Sequence, residues 1–144
     1  MSNVREEIKK MVNKETKAWD NQDADTLVSI FHPDMVWPWP KSPEDHDPMN
    51  WVLFQGRYDP KRWRKKWENF FNKHILKHNN RVIRKIVVSD EDDGAFAVVD
   101  IDTLWINERT HNKEHWKGRT CKVYTKVDKE WKLIMHTGVL KYDN

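Results

Sequence analysis

Two residues in the C-terminal half of this sequence have side chains that could move a proton. Asp100 lies in a segment rich in apolar and β-branched residues, where a strand acid could act as a general base. His136 titrates near neutral pH in its unperturbed form and could act as an acid or a base. Arg119 could orient an oxyanion beside either residue. Together they make cofactor-independent proton transfer or dehydration one hypothesis for this protein.

Tryptophan is the most over-represented residue type, with nine copies among 144 residues. Indole rings are bulky and carry one N–H donor, so a surplus indicates an aromatic cavity, an aromatic interface or both. We expect six of these rings, together with Arg119, to line an apolar ligand pocket. The six are Trp37, Trp39, Trp51, Trp63, Trp67 and Trp105. Because Trp63 and Trp67 lie four residues apart on a predicted helix, at least one of them is expected to be core.

Each polar candidate also has a purely structural interpretation. Asp100 and its neighbour Asp102 could pair with lysines across an exposed sheet surface, and His136 could be a structural or interface residue. An inward-facing Arg119 needs an anionic partner, which could be Glu15 or a ligand carboxylate or phosphate. Arg119 could also be solvated at the rim of the fold.

Other kinds of site find little support in the sequence. The pairs His74 with His78 and His111 with His115 have a spacing of four, but no acid or cysteine converges on either, so no metal site is expected. The basic segment 57–66 contains tryptophans that share the buried stripe of its helix. It therefore indicates a solvated helix face rather than a nucleic-acid surface.

Length and composition bound the remaining possibilities. A chain of 144 residues predicts a single domain over 1–144, and a net charge of +3 is mild. Cys121 is the only cysteine, which excludes an internal disulfide and fits a reducing compartment. The charged N-terminal segment 1–12 has no signal-peptide character, and no run is long enough to span a membrane. We therefore expect a cytoplasmic protein that has no membrane partner. Because the sequence contains no phosphate-binding or dinucleotide motif, we also expect no cofactor.

The elements that must position these residues follow an α+β pattern, with helices first and antiparallel strands last. Apolar spacing of three and four predicts the helices, and alternation with short connections predicts the strands. The predicted elements are helices over 3–21, 24–31, 48–56 and 60–78, an edge strand over 35–40, and strands over 81–89, 95–107, 116–127 and 130–141.

Alternation within the strands sorts their side chains into two faces. On strand 95–107 we expect the alternating set from Ala95 to Trp105 to pack on the helices. Grouping the charges on one face then places Lys122 and His136 outside with Asp100. Arg119, Cys121 and Val123 fall on the inner face. The outer face would also carry Phe96, Val98, Tyr124, Ile134 and Leu140. This much apolar surface predicts that a second subunit covers it.

Two stretches of sequence carry a resemblance to a known family. The order of elements, with Ala18-Trp19-Asp20 and the run from Leu27 through His32-Pro33-Asp34 to Trp37, resembles the nuclear transport factor 2-like superfamily. The segments 118–124 and 131–138 are similar to the final hairpin of its SnoaL-like members. The resemblance implies a curved antiparallel sheet wrapped around N-terminal helices to form a cone with an internal apolar pocket. It also implies that the outer sheet face commonly forms a dimer.

The resemblance does not select one function, because the superfamily includes isomerases, dehydratases, epoxide hydrolases, polyketide cyclases and pure binding modules. It implies that a strand acid inside the cone often supplies the base in its enzymes. We predict a homodimeric domain that binds a small apolar or aromatic molecule. Two alternatives stay open: a cofactor-independent isomerase, dehydratase or cyclase using Asp100 or His136, and a structural dimerisation module whose tryptophans only fill the core.

Overall fold

The chain forms three helices and a long sheet, in the order expected for an α+β domain. The structure is a computed structural model and describes residues 3–42, 44–45 and 47–140. The described elements are α1 (Val4–Asp20), α2 (Ala24–Ser29), β1 (Phe31–Val36), β2 (Pro38–Trp39), a 3-10 turn (Pro48–Asn50), β3 (Val52–Leu53), α3 (Pro60–Lys73), β4 (His74–Val88), β5 (Gly94–Asn107), β6 (Lys113–Val127) and β7 (Glu130–Leu140). Residue 141, the last of the predicted final strand, lies outside the described residues.

Side-chain caps begin the two long helices. The Asn3 carboxamide accepts the Glu6 N–H at 3.3 Å at the start of α1, and the Asp59 carboxylate accepts the Arg62 N–H at 3.0 Å at the start of α3. Pro60 occupies the first turn of α3, where its missing N–H costs nothing. Each helix then buries one stripe of side chains against the concave face of the sheet. None of the helices described is long and apolar enough to cross a membrane.

Helix α3 is shorter and β4 is longer than the sequence predicts. The helix ends at Lys73 rather than at residue 78, because His74 takes an extended conformation with φ −127° and ψ 146°. From His74 onward the chain pairs with β5, so the sheet ladder replaces helical hydrogen bonding in residues 74–80, with an irregularity between Leu76 and His78. The predicted helix over 48–56 is likewise replaced by a 3-10 turn and the short strand β3.

Five strands form the main sheet in the order β1-β7-β6-β5-β4. The four long strands are antiparallel, as their short connections predict, whereas β1 runs parallel to β7. The strands β2 and β3 pair as a separate two-stranded ribbon. The ribbon therefore brings Trp39 and its neighbours alongside the main sheet rather than extending its edge.

The predicted faces are right for β5 and wrong for β6. Asp100 lies on the outer face as expected, but it pairs directly with Arg119, and cross-strand partners project to the same side of a sheet. Arg119 is therefore exposed, while Lys122 and Tyr124 are buried against α1, opposite to the prediction. Grouping the charges on one face failed because α1 places the buried carboxylate of Glu15 beneath the inner face.

An irregularity in the β6–β7 ladder also changes the face of His136. Val123 pairs with Met135 and Tyr124 pairs with Leu133, so β7 carries one extra residue at Ile134. Leu133 is buried as predicted, but the bulge reverses the alternation beyond it. His136 is consequently buried rather than exposed, and the prediction that it faces outward is wrong.

Candidate ligand-binding site

A cavity lies between the helices and the concave face of the sheet, and aromatic side chains make most of its wall. The space open to the centres of water molecules is about 50 Å³. One water needs roughly 10–15 Å³ on this measure, so the cavity has room for a small organic group. Its lining residues are Trp19 from α1, Trp37, Trp39 from β2, Phe54, Trp67 from α3, Arg81 from β4, Ile101 from β5, Trp116 from β6 and His136 from β7.

His136 is held flat within this wall by two indole rings. Its imidazole stacks on Trp37 with ring centroids 4.3 Å apart and planes inclined by 17°, and the edge of Trp39 approaches at 5.1 Å. Trp37 also contacts Trp67 at 5.8 Å, and Trp67 in turn meets Trp19 edge-on at 4.8 Å. Aromatic contacts of this kind each add about 0.5–1.5 kcal/mol beyond burial, so they fix the shape of the cavity wall.

A buried polar cluster around Glu15 supports the cavity from the side of α1 and β6. The Lys122 ammonium Nζ lies 2.9 Å from Glu15 Oε1 and 3.0 Å from Oε2. The Trp19 indole donates to Oε2 at 3.0 Å, and Arg81 Nη1 approaches the same oxygen at 3.4 Å. Arg81 is also held by Asn79, which accepts from its Nε at 2.7 Å. A single carboxylate thus faces two cations inside the fold.

Burial and charge act in opposite directions on the carboxylate of this cluster. Burial alone raises the pKa of Glu15, but the charges that Lys122, His136 and Arg81 can carry, with the Trp19 hydrogen bond, outweigh it and lower the pKa to about 2. Glu15 is therefore ionised throughout the physiological range.

The two nitrogen bases of the cluster have depressed pKa values. Burial, with a contribution from Arg81, lowers the pKa of Lys122 to about 8 even though Glu15 opposes the change. Burial and the nearby Lys122 charge lower the pKa of His136 well below its usual value, so the imidazole is neutral near pH 7. A neutral imidazole offers one donor and one acceptor.

Two side chains of the cavity wall have fully buried polar atoms that make no hydrogen bond among the described residues. Neither ring nitrogen of His136 makes a hydrogen bond, although the residue is only 2% exposed. The indole Nε1 of Trp67 is also unpaired. Because buried polar groups are normally hydrogen-bonded, these atoms can serve a bound molecule or ordered water.

Three of the six tryptophans expected at the pocket line the cavity: Trp37, Trp39 and Trp67. Trp63 and Trp105 are completely buried and belong to the core. Trp51 lies half-buried outside the lining residues.

The structure places Asp100 and Arg119, the two other candidate site residues, on the face of the sheet opposite the cavity. Asp100 accepts hydrogen bonds from Arg119 Nε at 2.8 Å and from Arg84 Nε at 2.7 Å. The Arg119 hydrogen bond, aided by Arg84, lowers the pKa of Asp100 to about 2. An ionised, doubly paired carboxylate on the outer face cannot reach a molecule in the cavity.

Sequence reasoning missed several residues of the wall. The helical spacing places Trp19 on the apolar face of α1 together with Glu15. Nothing in the sequence, however, shows that this face lies close to β6. Trp116 lies opposite Thr103, which was placed on the inner face, so this pairing would have found it. Arg81 reaches the cavity because β4 aligns it with the inward-facing Ile101. Phe54 belongs to the helix predicted over 48–56, but it lies in a turn after β3, so the predicted helix could not place it in the wall.

No protein-family model and no curated protein matches this sequence. Solved structures do match over nearly the whole chain. A ketosteroid isomerase-like protein from Erwinia carotovora is 12% identical, with a TM-score of 0.73 over 99% of this chain and 100% of that one. An NTF2-like protein from Cytophaga hutchinsonii is 18% identical, with a TM-score of 0.67 over 96% and 99%.

A third similar structure is a putative calcium/calmodulin-dependent kinase II association domain from Exiguobacterium sibiricum. It is 11% identical, with a TM-score of 0.68 over 100% of this chain and 98% of that one. Identities this low establish the architecture and leave the activity open. The chain therefore has the nuclear transport factor 2-like fold, an α+β cone in which a curved sheet encloses N-terminal helices.

Proposed function

We propose that this protein binds a small, flat aromatic molecule that carries a hydroxyl or carbonyl group. The observation that carries the proposal is His136, a buried imidazole stacked on Trp37 in the cavity wall with both ring nitrogens unpaired among the described residues. An apolar cavity with a few convergent polar groups is the usual form of a small-molecule site. The indole rings favour a planar guest, and His136 with Trp67 Nε1 can satisfy its polar group.

The charges behind the wall favour a polar group that is electron-rich. Arg81 lines the cavity and Lys122 lies behind it, and among the residues that the structure describes Glu15 is the one carboxylate in contact with both. The surplus positive charge stabilises a phenolic or enolic oxygen more than an ammonium group. The volume of about 50 Å³ limits the guest to about one ring unless Phe54 or Trp39 moves.

Phenol and benzene form a matched pair of probes for this proposal, because they differ by one hydroxyl. Isothermal titration calorimetry on the protein is expected to show tighter binding of phenol. The substitution His136→Phe keeps the ring that stacks on Trp37 but removes both nitrogens. It is expected to weaken phenol binding by about 3–10-fold, which corresponds to one net hydrogen bond, and to leave benzene binding unchanged or improved.

His32→Phe is the control, since His32 lies outside the cavity wall and undergoes the same chemical change. Circular dichroism before each titration checks that both variants are folded. If neither probe binds the wild-type protein, or if His136→Phe leaves the preference for phenol intact, the proposal is wrong. Self-association without any ligand binding would instead support the structural dimerisation module.

A second candidate function is cofactor-independent isomerisation, dehydration or cyclisation, in which His136 removes a proton from a bound substrate. It is favoured by the neutral state of His136 near pH 7, which is the state a general base requires. Arg81 beside it could stabilise the oxyanion that forms. In this proposal His136 takes the role of base, and Arg81 replaces the outward-facing Arg119.

Proton exchange tests this enzymatic candidate without knowledge of the natural substrate. The acidic C–H protons of a one-ring aromatic ketone such as phenylacetone are expected to exchange in D2O faster with wild-type protein than with His136→Phe. Asp100→Asn is the control, because Asp100 faces the opposite side of the sheet. Equal exchange rates for wild type and His136→Phe would exclude His136 as the base and leave the binding function.

We also propose that the protein is a cytoplasmic homodimer that associates through the outer face of the sheet. Exposed apolar side chains on the long strands support this, among them Val82, Phe96 and Met135. The free thiol of Cys121 fits a reducing compartment. Sedimentation velocity at micromolar concentration is expected to show a dimer, and Phe96→Lys is expected to give monomers. A wild-type monomer at that concentration would contradict the proposal.

A further inference from the structure

Three metal-ligand side chains converge on the outer face of the sheet, away from the cavity. The Oδ1 atom of Asp102 lies 2.8 Å from His78 Nε2 and 2.7 Å from His115 Nε2. All three ligand atoms lie within 4.8 Å of one another, and the two imidazole rings meet at a centroid separation of 6.0 Å. The cluster combines two imidazole nitrogens with one carboxylate oxygen.

The sheet itself brings the three residues together. His78 on β4 pairs with Leu104 on β5, and Leu104 pairs with His115 on β6, so the two histidines flank the central strand in one row. Asp102 lies two residues from Leu104 along the same face of β5. Ligands on three hydrogen-bonded strands have little backbone freedom, which favours a defined coordination geometry.

We propose that His78, Asp102 and His115 bind one divalent transition-metal ion. Two histidines and a carboxylate are a common ligand set for zinc and for other first-row metals, with a further position left to water. The three side chains are 35–46% exposed, so an ion can reach them from solvent. This site is separate from the cavity and independent of the proposed ligand-binding function.

The observed geometry is close to that of a coordinated ion. Zinc holds nitrogen and oxygen ligands at about 2.0–2.2 Å, which places neighbouring ligand atoms about 3.3 Å apart in a tetrahedral site. The two N···O separations here must therefore open by about 0.5 Å, and small rotations of exposed side chains provide that movement. Asp102 Oδ1 lies within hydrogen-bond distance of Nε2 of both histidines, and on binding an ion each ring that carries its proton on Nε2 moves it to Nδ1 or releases it.

No metal site is expected from the sequence, because no acid or cysteine converges on either pair of histidines. Those pairs are His111 with His115 and His74 with His78, four residues apart in each case. The cluster instead joins one member of each pair to Asp102, over separations of 24 and 13 residues. Strand register, which a single sequence does not reveal, creates the site.

Calorimetric titration of untagged protein with ZnCl2 tests the proposal directly. We expect one zinc ion per chain, and a thermal transition that rises with zinc concentration because the ion links β4, β5 and β6. The variants His78→Asn, His115→Asn and Asp102→Asn are each expected to weaken zinc binding by at least about tenfold. His111→Asn is the matched control, because it removes an exposed imidazole of the neighbouring loop at a residue with φ 62°, a conformation that asparagine tolerates.

A second measurement uses only the wild-type protein and so does not depend on any variant folding. Addition of one equivalent of Co2+ is expected to shift or broaden the NMR signals of His78 and His115 while those of His136 remain sharp. The proposal is overturned if His111→Asn weakens zinc binding as much as the cluster variants, or if zinc affinity is the same in all of them. It is also overturned if Co2+ perturbs other histidines first.

Discussion

Replacing Glu15 by glutamine tests whether one carboxylate holds the buried charge cluster together. The variant Glu15→Gln keeps the size of the side chain and an oxygen that can accept from Trp19 Nε1, but it removes the negative charge beside Lys122 and Arg81. Arg81 then keeps its positive charge without this carboxylate in a region where the fold excludes water, and Lys122 loses the acid that raises its pKa. Removing one partner of a buried ion pair is far more damaging than exchanging the whole pair for apolar groups.

The pKa of Glu15 gives the size of the effect. A folded-state pKa of about 2, against 4.5 for the free side chain, corresponds to about 3 kcal/mol of stability contributed by the ionised form at pH 7. Glutamine resembles the protonated acid, so Glu15→Gln is expected to lose about this amount. For a chain of this length the midpoint of thermal unfolding then falls by roughly 6–12 °C.

The pH dependence has a defined sign. Because the folded-state pKa lies below the unfolded value, the contribution of Glu15 is fully present above pH 4.5 and is lost as the pH falls towards 2. Urea unfolding followed by tryptophan fluorescence should therefore show a gap between wild type and Glu15→Gln that is wide at pH 7 and closes towards pH 3. The variant lacks this part of the acid dependence altogether.

Glu7 supplies the matched control on the same helix. It also accepts an indole donor, from Trp131 Nε1 at 3.1 Å, but it is half-buried and no cation contact to it is found among the described residues. Glu7→Gln is expected to change the free energy of unfolding by less than about 1 kcal/mol. A loss of less than 1 kcal/mol in Glu15→Gln at pH 7, or a gap that stays constant down to pH 3, would falsify the role assigned to the cluster.

Three further outcomes follow from the same contacts. Lys122→Met leaves Glu15 paired with Arg81, so urea unfolding is expected to show a smaller loss of unfolding free energy than for Glu15→Gln. An NMR titration of Lys122→Met should also show a higher pKa for His136, because the Lys122 charge lowers that pKa. Gly138→Ala places a Cβ against the backbone oxygen of Arg119 on β6, and calorimetry should show a loss of about 1–3 kcal/mol in the free energy of unfolding. Asp100→Asn breaks only outer-face pairs, so phenol binding should be unchanged and unfolding should shift by less than about 1 kcal/mol.

Local signals were sufficient to predict most of the fold. The caps at Asn3 and Asp59 and the apolar stripes of α1 and α3 are contained within a few turns of sequence, and the structure confirms both helix starts. The end of α3 could not be predicted in this way. Residues 74–78 continue a helical apolar pattern, yet in the structure they pair with β5, and this long-range contact overrides the local preference.

The wall of the cavity depends on information that is not local. Residue type alone predicted three of the wall residues, Trp37, Trp39 and Trp67, because the indole rings of a small domain usually pack in a core, a cavity or an interface. Arg81 and Trp116 enter the wall only through the register of β4, β5 and β6, and a register error of one residue exchanges the inner and outer sets.

The assumption that charged side chains group on the outer face of the sheet predicts the wrong orientation for β6. Placing Lys122 outside spares it the cost of desolvation, but the register that exposes Asp100 also exposes Arg119 and buries Lys122. The fold offsets that cost with Glu15, a single acid in the otherwise apolar face of α1. An acid at a core position of an amphipathic helix therefore predicts a buried cation on the strand that packs against it. Applied to this sequence, the rule requires a cation on the inner face, and the pairing of Arg119 with the outward-facing Asp100 leaves that position on β6 to Lys122.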